Sequence, residues 1–154
     1  MKPALTGRFG FLVNDVSRQY SQQFDRLARE RLGLSQAQCR LLAMLAWRKE
    51  GPMSQAELAQ ELGLTPMAVA TMCDRLAAAG WIERRAHPED RRVNQVHLLP
   101  GARKALDKAL LIGDELTGRV LEGFTASERT QLLALLAKAR QGLLALTTEA
   151  EPQP

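Results

Sequence analysis

The chain is 154 residues long, the size of one domain with helical extensions. Hydrophobic residues make up 45% and charged residues 25%, which excludes wholesale disorder, and no apolar run is long enough to span a membrane. The net charge is +4, and most of that excess falls between Trp81 and Lys104, where Arg84, Arg85, Arg91, Arg92, Arg103 and Lys104 face only Glu83, Glu89 and Asp90, a local basic cluster that points to a polyanionic partner.

The residues from Met1 to Gly10 lack the long apolar run of a secretory signal. From about Arg8 to Arg31, Phe9, Leu12, Val13, Val16, Tyr20, Phe24 and Leu27 recur at three- and four-residue steps, one face of a first helix that ends at Gly33. Ser35 with Gln38 forms a capping box opening a second helix to about Arg48, which Gly51-Pro52 breaks. Ser54 with Glu57 is a second box, opening a short helix that closes at Gly63. Thr65-Pro66 supplies an N-cap and a first-turn proline for a fourth helix, running to Ala79 and stopping at Gly80.

After Gly80 the period changes. Trp81, Ile82, Val93, Val96 and Leu98 are the strand-prone residues of an Arg-rich segment with His87-Pro88-Glu89-Asp90 at its centre. This predicts a β-hairpin with strands near 81–86 and 92–98. Helical patterning resumes at Pro100 and ends at Gly123, and Thr125 with Glu128 opens a last helix. That helix carries Leu132, Leu133, Leu135, Leu136, Leu143, Leu144 and Leu146 over more than half its circumference, more than one small chain can cover, so a second chain is expected on it. Abundant Leu and Ala, scarce Val and Ile and 5% aromatic residues agree with a mainly α fold bearing one small β-hairpin.

The helices at Ser54–Glu61 and Thr65–Ala79, joined by Leu62-Gly63-Leu64, form a helix-turn-helix unit, and the hairpin that follows is its wing. The second helix of such a unit enters the DNA major groove with its N-terminal residues toward the base edges. Val69, Met72, Cys73 and Leu76 follow the i, i+3, i+4, i+7 rhythm of an inward face, leaving Met67, Ala68, Thr71 and Arg75 outward. Met67 and Ala68 suit thymine methyls, Thr71 a base edge, and Arg75 a phosphate. The candidate DNA-contacting set is Ser54, Gln55, Thr65, Met67, Ala68, Thr71, Arg75, Arg84, Arg85, Arg91 and Arg92. Asp90, repelled by phosphate, is expected to shape the wing by pairing with Arg92 or Arg75.

From Leu34 to Leu98 the sequence resembles the MarR-type winged-helix regulators. The resemblance rests on Leu34-Ser35-Gln36, Gln55-Ala56-Glu57-Leu58-Ala59, Asp74-Arg75-Leu76 followed by Gly80-Trp81-Ile82-Glu83-Arg84, and Pro88-Glu89-Asp90-Arg91-Arg92. It implies a cytoplasmic homodimer interlocked through its terminal helices, bound to palindromic double-stranded DNA and most often acting as a repressor. It also implies release by a small aromatic carboxylate held between the dimer helices and the DNA-binding lobe. Arg18, Tyr20 and Arg40 are the candidate ligand residues, because a carboxylate wants an Arg and a polar partner beside apolar walls. The implied division is 1–34 for the N-terminal dimerisation helix, 35–99 for the winged helix-turn-helix, and 100–154 for the C-terminal dimerisation helices. The sequence departs from the family pattern at Cys39, in place of an aromatic residue, at Leu98-Leu99, in place of Leu-Thr, and at Pro66-Met67-Ala68, in place of a more polar helix start.

Cys39 and Cys73 form no CxxC pair, which favours a reducing compartment over a disulfide framework, and with His87 and His97 they make no zinc pattern. Cys73, on the inward face without a basic neighbour in sequence, reads as inert. Cys39 beside Arg40 is the one candidate for a redox-responsive alternative. A winged helix used only for protein–protein assembly is the other alternative, and the exposed basic wing speaks against it. No cofactor, metal or catalytic motif stands out, so an enzyme is not expected.

Overall fold

The computed structural model describes residues 5–150, with side chains from 6 to 147. Its elements, in chain order, are a 3-10 turn at Leu5–Gly7, α1 (Phe9–Leu32), α2 (Gln36–Trp47), β1 (Met53–Ser54), α3 (Gln55–Leu62), α4 (Pro66–Ala78), β2 (Ile82–Ala86), β3 (Asn94–Leu98), α5 (Pro100–Val120) and α6 (Ala126–Ala150). The architecture is mainly helical with a small antiparallel sheet in the order β1-β3-β2. The chain divides into two compact units, one ending at Leu116 and the other beginning at Thr117.

In the first unit, the caps read from sequence set the helix starts. Ser35 Oγ accepts from the Gln38 amide and Gln38 Oε1 accepts from the Ser35 amide, at 3.1 and 2.8 Å. Ser54 and Glu57 do the same at the start of α3, at 3.1 and 2.7 Å. Each cap of this kind contributes about 1 kcal/mol. Gly63 follows α3 with φ +64°, the left-handed conformation that lets the chain turn sharply into α4. The core closes over Leu34, Leu41, Leu42, Leu58, Val69, Leu76, Ile82 and Val96, all 2% exposed or less, so α2, α3, α4 and the sheet share one apolar interior. Each such side chain contributes about 1.5–3 kcal/mol of burial.

Asp25 ties α1 to α2. One carboxylate oxygen accepts from the Gln36 amide at 2.9 Å and the other from Arg29 at 2.6 Å. These bonds, the Gln36 amide first, hold the carboxyl below the usual aspartate range. α1 meets α5 through Tyr20, whose hydroxyl donates to the Gly113 carbonyl at 3.3 Å, and through a two-pronged Arg31–Glu115 pair at 2.6 and 3.2 Å. The apolar face predicted for α1 is only half used. Leu27 is buried and Tyr20 and Phe24 are half-buried, whereas Phe9, Leu12, Val13 and Val16 are exposed.

In the second unit, Glu128 and Thr125 cap α6 as expected, with the Glu128 carboxylate accepting from the Thr125 amide at 2.8 Å. Leu133, Leu135, Leu136, Leu143, Leu144 and Leu146 are all exposed in the single chain.

Three boundaries differ from the sequence reading. β1 has no counterpart there, because a two-residue strand is too short to show alternation; it pairs Met53 with Val96 and Ser54 with Gln95. β3 begins at Asn94, not near 92, because Arg91 and Arg92 belong to a turn closed by Val93 donating to the Asp90 carbonyl at 3.0 Å. α5 stops at Val120 and a turn covers the residues up to Phe124.

Candidate nucleic-acid interface

The site is built on α4. Thr65 Oγ1 accepts from the Ala68 amide at 3.2 Å and Pro66 occupies the first turn, so the helix starts at a fixed residue and angle. Val69, Cys73 and Leu76 are fully buried, which turns Met67, Ala68, Thr71, Asp74, Arg75 and Ala78 outward together. Met67 is 80% exposed, more than any other large hydrophobic side chain among the described residues.

Ser54 and Gln55 mark the start of α3. The Ser54 hydroxyl caps its own helix, and the cap bond from the Ser54 amide holds the Glu57 carboxyl below its ordinary range. Gln55 Oε1 accepts from Arg84 Nε at 2.6 Å. That contact is part of a larger one. Arg84 also donates to the Ala70 carbonyl at 3.2 Å and to Asp74 at 2.7 Å. A single guanidinium thus joins β2 to the first residue of α3 and to two turns of α4. Its side chain is half-buried, with 26% exposed, and differs in this from the outward-pointing wing arginine that the sequence suggests. The physical reason is the register of β2. Arg84 pairs across to the buried Val96, so it stands on the helix-facing side of the sheet. Arg84 also neutralises Asp74, a carboxylate on the same face as Met67 and Arg75.

The tip of the hairpin is different. Asp90 accepts from the Arg92 amide at 3.0 Å and from Arg92 Nε at 3.2 Å, and Arg92 holds the Asp90 carboxyl below its usual range. The Arg92 side chain is 91% exposed. Arg85 pairs with Glu83 on the solvent side. Arg75 and Arg91 are exposed and form no ion pair among the described residues.

The candidate ligand residues have separate surroundings in the single chain. Arg18 pairs with Asp15 at 2.6 Å, and Tyr20, two positions on, points to another side of α1 and toward α5. Arg40 is exposed on α2. Two grooves of about 190 Å³ each lie instead along α1 and α5, sharing Arg31, Leu32 and Lys108. Lys104, Trp81 and Gly101 line one, and Leu111 and Ile112 the other. A larger groove of about 680 Å³ lies beside Met44, Trp47 and Met53, rimmed by charges of both signs.

Burial decides the cysteines. Cys39 is 5% exposed, and burial, with the Asp25 carboxylate nearby, pushes its thiol up to about 11. A thiol held so far from the thiolate is a poor peroxide target, which speaks against a redox role for Cys39. Cys73 has a basic neighbour after all, Arg84, but burial outweighs it and the thiol is raised. Among the described residues no three His, Cys, Asp or Glu side chains gather as a metal site, and no helix is long and apolar enough to cross a membrane.

The MarR family model matches residues 34–93, the segment from just before α2 into the wing. The chain is 28% identical over 136 residues to the HTH-type transcriptional repressor MdtR of Bacillus subtilis, covering 84% of this chain and 86% of that one. It is 28% identical over 111 residues to the HTH-type transcriptional regulator YdgJ of the same organism, covering 72% of this chain and 66% of that one. Apo MarR from E. coli superposes with a TM-score of 0.77 at 26% identity, covering 86% of this chain and 96% of that one. A mutant form of E. coli MarR complexed with operator DNA superposes with a TM-score of 0.69 at 27% identity, covering 84% and 91%.

Proposed function

The chain belongs to the MarR family, and from that premise we propose that it is a cytoplasmic homodimeric transcriptional repressor that binds a palindromic DNA operator. One observation carries the reading: α4 turns Met67, Ala68, Thr71 and Arg75 outward beside a wing whose tip arginines are free of the core. In this reading α4 lies in the major groove, with Thr65 at the helix start facing the backbone, and Arg75 meets phosphate. Arg91 and Arg92 follow the adjacent minor groove, Arg85 meets the backbone, and Asp90 holds the tip in shape. Ser54 and Gln55 act mainly by fixing the start of α3, and Arg84 acts as a positioning residue rather than a contact.

Dimerisation is supported by the exposed leucines of α6 and the exposed apolar half-face of α1, from Phe9 to Val16. The functional division into 1–34, 35–99 and 100–154 follows from it, although α1 and most of α5 belong to the same compact unit as the winged helix. Release by a small aromatic carboxylate is part of the proposal, and the α1–α5 grooves support it better than Arg18, Tyr20 and Arg40 do. There Lys104 and Lys108 stand beside Trp81, an aromatic wall with cations at its rim.

The test has three arms. Light scattering should give twice the protomer mass, with Leu136→Glu or Leu143→Glu giving monomer or unfolded chain; a stable wild-type monomer refutes the dimer. Binding to duplexes enriched from a random pool should weaken steeply with salt, because each neutralised phosphate releases counterions. A flat salt dependence would leave assembly through protein contacts as the better reading. Calorimetry with salicylate-like acids, on free protein and on the DNA complex, tests release: operator DNA must weaken the acid by the same factor that the acid weakens DNA.

A further inference from the structure

We propose that α4 reads its site through thymine methyl groups in the major groove, with Met67 as the specificity-determining side chain; this rests on the DNA-binding reading above.

The outward face of α4 is marked by what it lacks. From Pro66 to Cys73, the first two turns, there is no Arg, Lys, Asn or Gln. Guanine is read in the major groove by Arg or Lys on O6 and N7, and adenine by Asn or Gln on N6 and N7, so neither bidentate contact is available where the helix enters. Arg75 comes eight residues after Met67, about 12 Å further along the axis, which suits it to the backbone. Asp74 is the one acidic side chain on this face, and Arg84 holds one of its carboxylate oxygens at 2.7 Å, which neutralises its charge and weakens its pull on a cytosine amino group.

What remains is apolar contact and one hydroxyl. Met67 is 80% exposed and followed by the small Ala68, with Thr71 one turn on. Leaving a large thioether in water at the tip of a helix gains nothing for the fold, whose core is complete without it. Thymine is the one base whose major-groove edge carries an apolar group. The unbranched Met side chain adapts its three torsions to such a methyl, where a β-branched residue at the same place would not. Ala68 lets the helix approach closely enough for that contact, and Thr71 supplies a hydroxyl that serves either base edge. The preferred half-site therefore has thymines opposite the start of α4. Discrimination there is shallow per position and depends on several methyls together.

The full-length protein is first used to enrich duplexes from a random-sequence pool. Each dT of the selected half-site is then replaced singly by dU, which removes only the methyl group, and affinity is read by fluorescence anisotropy at fixed salt. The wild type should lose about fourfold at each contacted position, the value of about 0.8 kcal/mol for one buried carbon converted at 25 °C. Met67→Ala should bind the dT and dU forms of one position equally while keeping the wild-type salt slope, because its phosphate contacts are untouched. Since Met67 is exposed, that variant should melt with the wild type. Equal wild-type affinity for every dT and dU pair overturns the methyl readout and leaves DNA binding standing. So does a Met67→Ala variant that keeps the full uracil penalty. If the pool yields no enriched duplex, the DNA-binding reading fails and this proposal fails with it.

Discussion

At the base of the β2–β3 hairpin Arg84 reaches inward to Gln55, Ala70 and Asp74, while at the tip Arg92 bonds to Asp90 and otherwise faces solvent. The two residues are the same in type and eight positions apart, and both count toward one basic cluster. Their exposures, 26% and 91%, separate them. The base arginine is shielded enough for its hydrogen bonds to matter to folding, and the tip arginine is solvated enough that its ion pair contributes little. A count of positive charge measures attraction to a polyanion. It does not say which charges are free to meet one.

Replacing Arg84 by Ala should have the largest effect and should act on stability first. It removes the half-buried guanidinium's bonds to Gln55, the Ala70 carbonyl and Asp74, a loss of about 1–3 kcal/mol. For a chain of this size that lowers the melting temperature on the order of 5 °C. DNA affinity should fall more than tenfold, with the salt slope unchanged, because no phosphate contact is removed and an unneutralised Asp74 now faces the duplex. The double variant Arg84→Ala with Asp74→Asn should recover part of the affinity and none of the melting temperature. A slope that drops in the single variant would mean that Arg84 leaves its partners and meets DNA.

Replacing Arg91 and Arg92 together by Ala should do the reverse. The melting temperature should stay close to that of the wild type, since exposed substitutions change stability by about 0.5 kcal/mol or less. The salt slope should fall by roughly one unit for each lost phosphate contact. If this variant loses stability and keeps its slope, the contrast between base and tip is wrong.

The smallest effect belongs to Asp90. Its folded-state carboxyl lies below the ordinary aspartate value, chiefly through Arg92. The ordering it contributes is therefore present above that ordinary value and is lost as pH falls through the folded-state value, below about pH 4. The Arg92 amide resonance, followed by NMR, should move over that interval and be insensitive to pH near neutrality. Asp90→Ala should show the acid-state shift already at pH 7 and bind DNA a few-fold more weakly. An Arg92 amide that ignores both changes would show that the turn holds its shape without the carboxylate.

Much of this was legible in the sequence. The boxes at Ser35, Ser54 and Thr125 are local signals, since cap and partner lie three residues apart and act before any tertiary contact forms. The helix-turn-helix follows from Gly63 and the buried rhythm of α4, and Asp90 with Arg92 is again a two-residue affair. The Arg84 cluster was not legible. Gln55 and Arg84 are 29 positions apart, Asp74 and Arg84 ten, and only the packing of β2 against α4 brings them together. A sequence in which Arg84, Arg85, Arg91 and Arg92 look alike gives no hint of which one turns inward, though strand alternation from the buried Ile82 would have placed Arg84 on the inner side. Arg18 and Tyr20, named together because both lie on α1, stand on different sides of it, since positions two apart on a helix do not share a face.

The corner between α1 and α2 has a mechanical meaning. A loose linker dissipates an imposed rotation through many small torsional changes. Here the first amide of α2 is bolted to Asp25, which is rooted two turns back in α1 and braced by Arg29. Twisting α1 about its axis must therefore drag the start of α2 with it or shear that bolt. α2 in turn shares its buried leucines with α3 and α4, so the anchored corner belongs to the same packed interior as the helix carrying Met67.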